Sequence, residues 1–176
     1  MFIRHSYREY RNGKSPDGKL QHDSPILPGY ERGIISKFLY NFNKYGYPDK
    51  IICSPFLRTR ETAKIIKHIL PPNVEIIIDK GVEEYLGFQK PKGGIPDLDE
   101  ETRKYTDCKL GIETFDDIKI RSQNYYEQIK NPDENILIIT HGIFISQLAV
   151  YLKFKTDNHI KELSGIVIVN NDTFLV

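Results

Sequence analysis

The chain has 176 residues, 39% of them hydrophobic and 28% charged, which suits a globular fold around one core. A formal net charge of only +1 excludes the broad basic surface of a nucleic-acid or membrane-surface binder, so any anion chemistry must come from a local cluster of cations. No apolar run reaches the length of a membrane span, and the N-terminus lacks the basic and apolar regions of a signal peptide.

Met1 to Arg4 reads as a short buried strand that delivers Arg4 and His5 to the end of a sheet. Ser6 to Pro28 is a polar loop punctuated by Gly13, Pro16, Asp17, Gly18 and Pro25. Gly13-Lys14-Ser15 resembles the end of a P-loop. The position that needs its first glycine is Arg8, which rules that motif out. Asp23 to Pro28 approaches a helix over Gly29 to Tyr45, with Pro28 in its first turn and Ile34, Ile35, Phe38, Leu39 and Phe42 at helical spacing. Gly46 to Asp49 ends it. Ile51 to Cys53 is a second strand, Leu57 to Leu70 a second helix and Val74 to Ile78 a third strand.

Residues 79–112 are irregular, rich in glycine, proline and charge, and read as an inserted lid with one helical turn near Leu98 to Tyr105. A helix over Ile112 to Ile129 follows, then a turn at 132–134. Asn135 to Thr140 is the clearest strand. Its run Ile136 to Ile139 is apolar on both faces, the mark of a central strand covered on both sides. Ile143 to Leu152 is helical, and 166–169 with 173–176 form a hairpin around 170–172. Strands alternating with helices predict an α/β fold: a three-layer α/β/α sandwich on a mostly parallel sheet with an antiparallel edge. No repeat or linker interrupts it, so residues 1–176 are expected to form a single domain. Cys53 and Cys108 are read as unpaired thiols in a reducing, cytoplasmic setting.

Three strand ends carry matching chemistry: Arg4-His5, Ser54-Pro55-Phe56-Leu57-Arg58 and Thr140-His141-Gly142. If these strands are neighbours, two arginines and two histidines converge on one pocket. Such a cluster needs an anion to neutralise it, and two planar guanidiniums suit a phosphate. Helix N-termini after Ser54 and His141 add N–H donors. Zinc is disfavoured, because flanking arginines repel a cation.

These residues resemble the histidine phosphatase superfamily, with its phosphoglycerate-mutase-like fold. The likeness rests on Arg4-His5, on Ser-Pro-x-x-Arg-x-x-Glu-Thr-Ala from Ser54 to Ala63, and on Thr140-His141-Gly142. Val82 to Gly87 is similar to the family's acidic segment after the third strand. Arg8 resembles the extra arginine of the branch whose members carry ubiquitin-associated and SH3 domains; here the catalytic unit stands alone. The resemblance implies phosphomonoester hydrolysis through a phosphohistidine, with no cofactor and no metal. His5 is then the nucleophile and Glu84 the general acid, with Glu83 as the alternative. Arg4, Arg8, Arg58 and His141 bind the phosphoryl oxygens. The implied substrate is a phosphorylated small molecule or a phosphoprotein. Two departures stand out. Ser6 replaces the family's glycine after the nucleophile, where a side chain crowds the pocket or strains the backbone. Leu27 stands where the family has a helix-capping Ser or Thr.

Rival readings are a phosphoglycerate mutase, for which the chain is short, and a non-catalytic phospholigand-binding protein. A cysteine phosphatase is excluded, because the position that must hold arginine is Thr59 after Cys53 and Thr114 after Cys108. Lys90, Lys92, Arg103, Lys104 and Lys109 make the lid cationic in places, beside Asp97, Asp99, Glu100 and Glu101, and Tyr85, Phe88 and Tyr105 either line an aromatic pocket or pack the lid.

Overall fold

The computed structural model describes residues 1–9, 22–89, 92–130, 134–155, 160–169 and 172–176. The Gly13-Lys14-Ser15 run, Lys90 and parts of the turns at 132–134 and 170–172 lie outside them. In chain order the elements are β1 (Phe2–Arg4), α1 (Glu31–Tyr45), β2 (Lys50–Cys53), α2 (Leu57–Lys67), β3 (Glu75–Ile78), α3 (Phe115–Ile129), β4 (Ile136–Thr140), α4 (Gly142–Tyr151), β5 (Gly165–Val169) and β6 (Asp172–Leu175). Single 3-10 turns lie at Lys80–Val82 and Thr102–Lys104.

The six strands form one sheet in the order β3-β2-β4-β1-β5-β6. The first four of these are mutually parallel, and β5 and β6 add the expected antiparallel edge. Side chains alternate across the pleat and so feed two cores. Ile3, Ile51, Leu137 and Ile139 face Ile34, Phe38 and Phe42 of α1 and Ala63 and Ile66 of α2. Phe2, Ile52, Ile138 and Ile166 face Ile118 and Tyr125 of α3 and Phe144, Ile145 and Leu148 of α4. The apolar run of β4 serves both layers at once, which is why it carries no polar residue between Ile136 and Ile139.

Helix ends differ from the sequence expectation for local reasons. α1 starts at Glu31, so Pro28 lies before the helix and not in its first turn. Its N-cap is Tyr30, so Leu27 has no capping role; its N–H instead donates to Tyr7 O at 2.7 Å. α2 ends at Lys67, three residues early: His68, Ile69 and Leu70 bond to carbonyls three residues back, tightening the chain before Pro71 and Pro72, whose carbonyls accept from the Lys67 ammonium. α3 starts at Phe115 and not near Ile112. Thr114 and Asp117 form a capping box that fixes its first turn.

Within 79–112, Tyr85 is buried edge-on to Phe88 and Phe115. It packs this segment and does not line an opening. Arg60 on α2 anchors the same segment, donating to Thr102 Oγ1 at 3.1 Å and pairing with Asp99 and Glu101.

Candidate active site

The sheet order puts the carboxyl ends of β2, β4 and β1 side by side, and each ends in a residue of the expected cluster. Ser54 N donates to Ile139 O at 3.1 Å, and His5 N donates to Thr140 O at 3.0 Å. Ser54, His141 and His5 therefore stand in a row. The two imidazoles have centroids 5.3 Å apart and both are buried. His141 is also the N-cap of α4.

Arg58, in the first turn of α2, reaches across this row with its side chain fully buried. Its Nε donates to His5 Nε2 at 3.2 Å, and its Nη2 lies 2.7 Å from Glu84 Oε2 and 3.3 Å from His141 Nδ1. Phe56 supports both groups, with its ring under the guanidinium and edge-on to His141. Arg58 donates only, so the His5 Nε2 it meets carries a lone pair. The proton of His5 is then on Nδ1, which donates to Ser6 O at 2.5 Å. Burial first, then the charges of Arg58, His141 and Arg4, hold the His5 pKa well below its usual value, with Glu84 opposing. His5 is thus a neutral imidazole with its Nε2 lone pair turned into the site.

Glu84 arrives from the other side of the sheet. After β3, Asp79 accepts from Gly81 N at 2.8 Å and Val82 O accepts from Thr140 Oγ1 at 2.7 Å. Arg121 on α3 donates to Gly81 O at 3.0 Å and Glu83 O at 3.2 Å. Gly81 is required in this corner, since a Cβ there would meet the Tyr125 ring at 2.7 Å. The result separates the two adjacent carboxylates. Glu84 Oε2 lies 3.2 Å from His141 Nδ1, whereas Glu83 bonds Thr106 Oγ1 away from the cluster. Burial alone would raise the Glu84 pKa; the His141 ring beside it first, then the Arg58 guanidinium, hold it well below the carboxylate range. Burial pushes His141 down to about 4 although Glu84 opposes this, and its Nε2 lies 2.8 Å from Ser54 Oγ.

The two remaining predicted cations stand beside this group. Arg4 donates to Ile160 O at 2.5 Å and pairs with Glu162 at 3.2 Å. Arg8 is half-buried and within electrostatic reach of Arg58, Glu84, Arg4 and Glu162. Ser6 takes its place without a left-handed backbone: the only described non-glycine residues with positive φ are Lys153 and Leu163. Its N–H donates to Thr62 Oγ1 at 3.1 Å, so the Thr of the Glu-Thr-Ala run holds the backbone beside His5.

Three contributors carry no sequence signal of their own. Asp23 is fully buried; it accepts from Leu57 N at 2.6 Å and Asp99 N at 3.2 Å, and lies 3.7 Å from Arg58. His22 O accepts from Arg58 Nη1 at 3.2 Å while its Nδ1 accepts from Asp97 N at 3.0 Å. Glu162 is the third.

His5, Glu84 and His141 place one ligand atom each within 4.8 Å of one another, a donor set that could hold a metal. The Nε–Nη2 edge of Arg58 faces all three, so the cation in that position is the guanidinium, and a metal would have to displace it.

The pattern of the histidine phosphatase superfamily (branch 1) matches residues 2–165. No curated protein matches the chain in sequence. Several solved structures share its fold. A mycobacterial glucosyl-3-phosphoglycerate phosphatase complexed with VO3 superimposes with a TM-score of 0.63 at 15% identity, over 99% of this chain and 95% of that one. A phosphoserine phosphatase from Entamoeba histolytica, complexed with phosphoserine, gives 0.60 at 15% identity over 99% and 92%. The ecdysone phosphate phosphatase of Bombix mori, complexed with tungstate, gives 0.62 at 16% over 99% and 90%.

Proposed function

The chain belongs to the histidine phosphatase superfamily, branch 1, and from that premise we propose that it hydrolyses a phosphomonoester through a phosphohistidine on His5. The observation that carries this reading is the single guanidinium of Arg58 touching His5 Nε2, Glu84 and His141 together.

A phosphate group entering this cluster exchanges the carboxylate of Glu84 for its own oxygens on Arg58. His5 Nε2 attacks phosphorus, the P–O bond to the leaving group breaks, and Glu84 delivers a proton to the departing oxygen. The bound dianion supplies that proton's stability, because a negative charge close to Glu84 raises its pKa. Arg4, Arg8, Arg58 and His141 meet the charge that spreads over the equatorial oxygens. In the second half Glu84, now ionised, takes a proton from water, whose oxygen attacks phosphorus and frees His5. Nδ1–H held on Ser6 O keeps the ring oriented through both halves.

The cations do the neutralising, so the reaction is expected to survive chelators. Arg8 supports the likeness to the branch with ubiquitin-associated and SH3 domains. The fold neighbours are named for phosphorylated small molecules, which favours a substrate of that kind over a phosphoprotein. We read the chain as one catalytic unit with 79–112 as its lid, a reading supported by the ties of Asp97 and Asp99 to His22 and Asp23. Two unpaired cysteines suit a reducing cytoplasm, and among the described residues no helix is long and apolar enough to cross a membrane.

The test is hydrolysis of p-nitrophenyl phosphate with and without EDTA, and acid-labile labelling of the protein by a radioactive phosphomonoester. Both should vanish in His5→Ala. Activity that persists in His5→Ala would remove the proposal. Transfer of phosphate between phosphoglycerates, faster than release to water, would favour the mutase reading.

A further inference from the structure

Arg4 is already engaged by the protein. Its Nη1 donates to Ile160 O at 2.5 Å and its Nη2 pairs with Glu162 Oε1 at 3.2 Å, both side chains being largely buried. The backbone builds this pair in. Leu163, which follows Glu162, donates its N–H to Arg4 O at 3.1 Å and to His5 O at 3.3 Å, while Arg4 N donates to Ser164 O at 2.9 Å. The segment that carries Glu162 is thus stitched to the nucleophile's own main chain. Glu162 also acts on Arg8, whose positive charge it supports.

The described charges around His5 balance. Among the described residues, the guanidiniums of Arg4, Arg8 and Arg58 face the carboxylates of Glu162, Glu84 and Asp23. The histidines are held neutral by burial. A phosphoryl dianion therefore finds directed N–H donors and no surplus field, which suffices for one tetrahedral anion. A second anionic group that came to lie beside Arg4 would meet an arginine whose carboxylate partner is in place. Like charges a few ångströms apart at such a site separate binding constants by about tenfold. Glu84 cannot exert this selection, since it is used on the leaving oxygen. Glu162 has no part in the chemistry and is left beside Arg4 throughout.

We propose that Glu162 determines specificity at this site, restricting it to phosphomonoesters whose leaving group carries no negative charge of its own. This rests on the phosphomonoester reading given above and names the substrate class within it.

Glycerol 3-phosphate and 3-phosphoglycerate test it, because they differ only in a hydroxymethyl group against a carboxylate. Each is titrated calorimetrically into the wild-type protein and into Glu162→Gln. The wild type should bind glycerol 3-phosphate at least about fivefold more tightly, and Glu162→Gln should narrow that ratio by about threefold or more. Equal or tighter binding of 3-phosphoglycerate by the wild type, or the same ratio in Glu162→Gln, overturns the proposal. If Glu162→Gln does not fold by circular dichroism, the wild-type ratio decides alone. Hydrolysis of p-nitrophenyl phosphate and its loss in His5→Ala are read separately, so the phosphatase reading and this one can fail independently.

Discussion

Arg58 Nε donates to His5 Nε2 at 3.2 Å, and this one hydrogen bond fixes which ring nitrogen carries the lone pair. The same guanidinium compensates two buried carboxylates, Glu84 and Asp23. Arg58→Ala should therefore fail twice. Loss of transition-state donors should lower kcat/KM for p-nitrophenyl phosphate by about 10²–10³. Stranding the carboxylates should cost about 3 kcal/mol of stability, read by urea unfolding. Arg58→Lys keeps the charge but loses the planar edge, and should recover stability more than rate. Full activity in a destabilised Arg58→Ala would remove Arg58 from the chemistry.

The separation of Glu83 from Glu84 gives a second test. If Glu84 protonates the leaving oxygen, its loss matters most where the leaving group is a poor one. Glu84→Gln should lower kcat for an alkyl phosphate by about 10²–10⁴, and far less for p-nitrophenyl phosphate, whose leaving group departs unaided. Glu83→Gln, whose side chain is tied to Thr106, should show no such dependence. Equal losses of Glu84→Gln on both esters would leave it a binding role only.

The two buried imidazoles make stability depend on acid. Burial lowers His141 from 6.5 to about 4, and His5 moves in the same direction. The unfolded chain takes up these protons near pH 6.5, the folded one only at lower pH. Between those values the unfolded state binds more protons, so the contribution of the two imidazoles is complete above 6.5 and falls as the pH drops toward 4. Glu84, held low, extends the loss to more acid conditions. The melting temperature should decline as the pH falls below 6.5, and the buried Met1 amine, lowered from 8.0 to about 5, should add a shallower slope between pH 8 and 6.5. His141→Asn, which cannot titrate, should flatten that decline. An unchanged slope in the variant would mean that His141 takes up its proton at the same pH in the folded and the unfolded chain, and so is not held neutral by burial.

Much of this was legible in the sequence because it is carried by contiguous patterns. The apolar run of β4 announced a central strand, and the strand-end pairs Arg4-His5 and Thr140-His141 announced the site. The sheet order β2-β4-β1 turned those separate signals into one row. Asp23, His22 and Glu162 were not legible, since their partners lie far away in the chain and their segments have no periodicity. Asp23 holds the start of α2, the Arg58 guanidinium and Asp99 with one carboxylate. Asp23→Ala removes a helix cap and leaves buried donors unpaired. It should cost about 2 kcal/mol and raise KM through Arg58 and the 97–99 segment. A variant with wild-type stability and KM would reduce Asp23 to a bystander.

Leu163 holds a left-handed backbone at φ 58° and yet is buried. For an L-residue that conformation costs about 1–2 kcal/mol, whereas burying a leucine side chain contributes about 1.5–3 kcal/mol. Burial offsets strain, which is why leucine is tolerated where Gly or Asn would fit the backbone better. Truncation separates the two effects. Leu163→Ala loses the side chain and keeps the strain; Leu163→Gly loses both. Glycine is normally the less stable of the pair by about 0.5–1 kcal/mol, but here it should be the more stable by about 1 kcal/mol. Both should be less stable than the wild type. The position also supplies the N–H that reaches Arg4 O and His5 O, so Leu163→Gly should preserve the geometry around the nucleophile better than Leu163→Ala. Urea midpoints of the two variants decide it: alanine above glycine would mean that the backbone relaxes out of the left-handed region, and that the bond to the His5 carbonyl is not what holds it there.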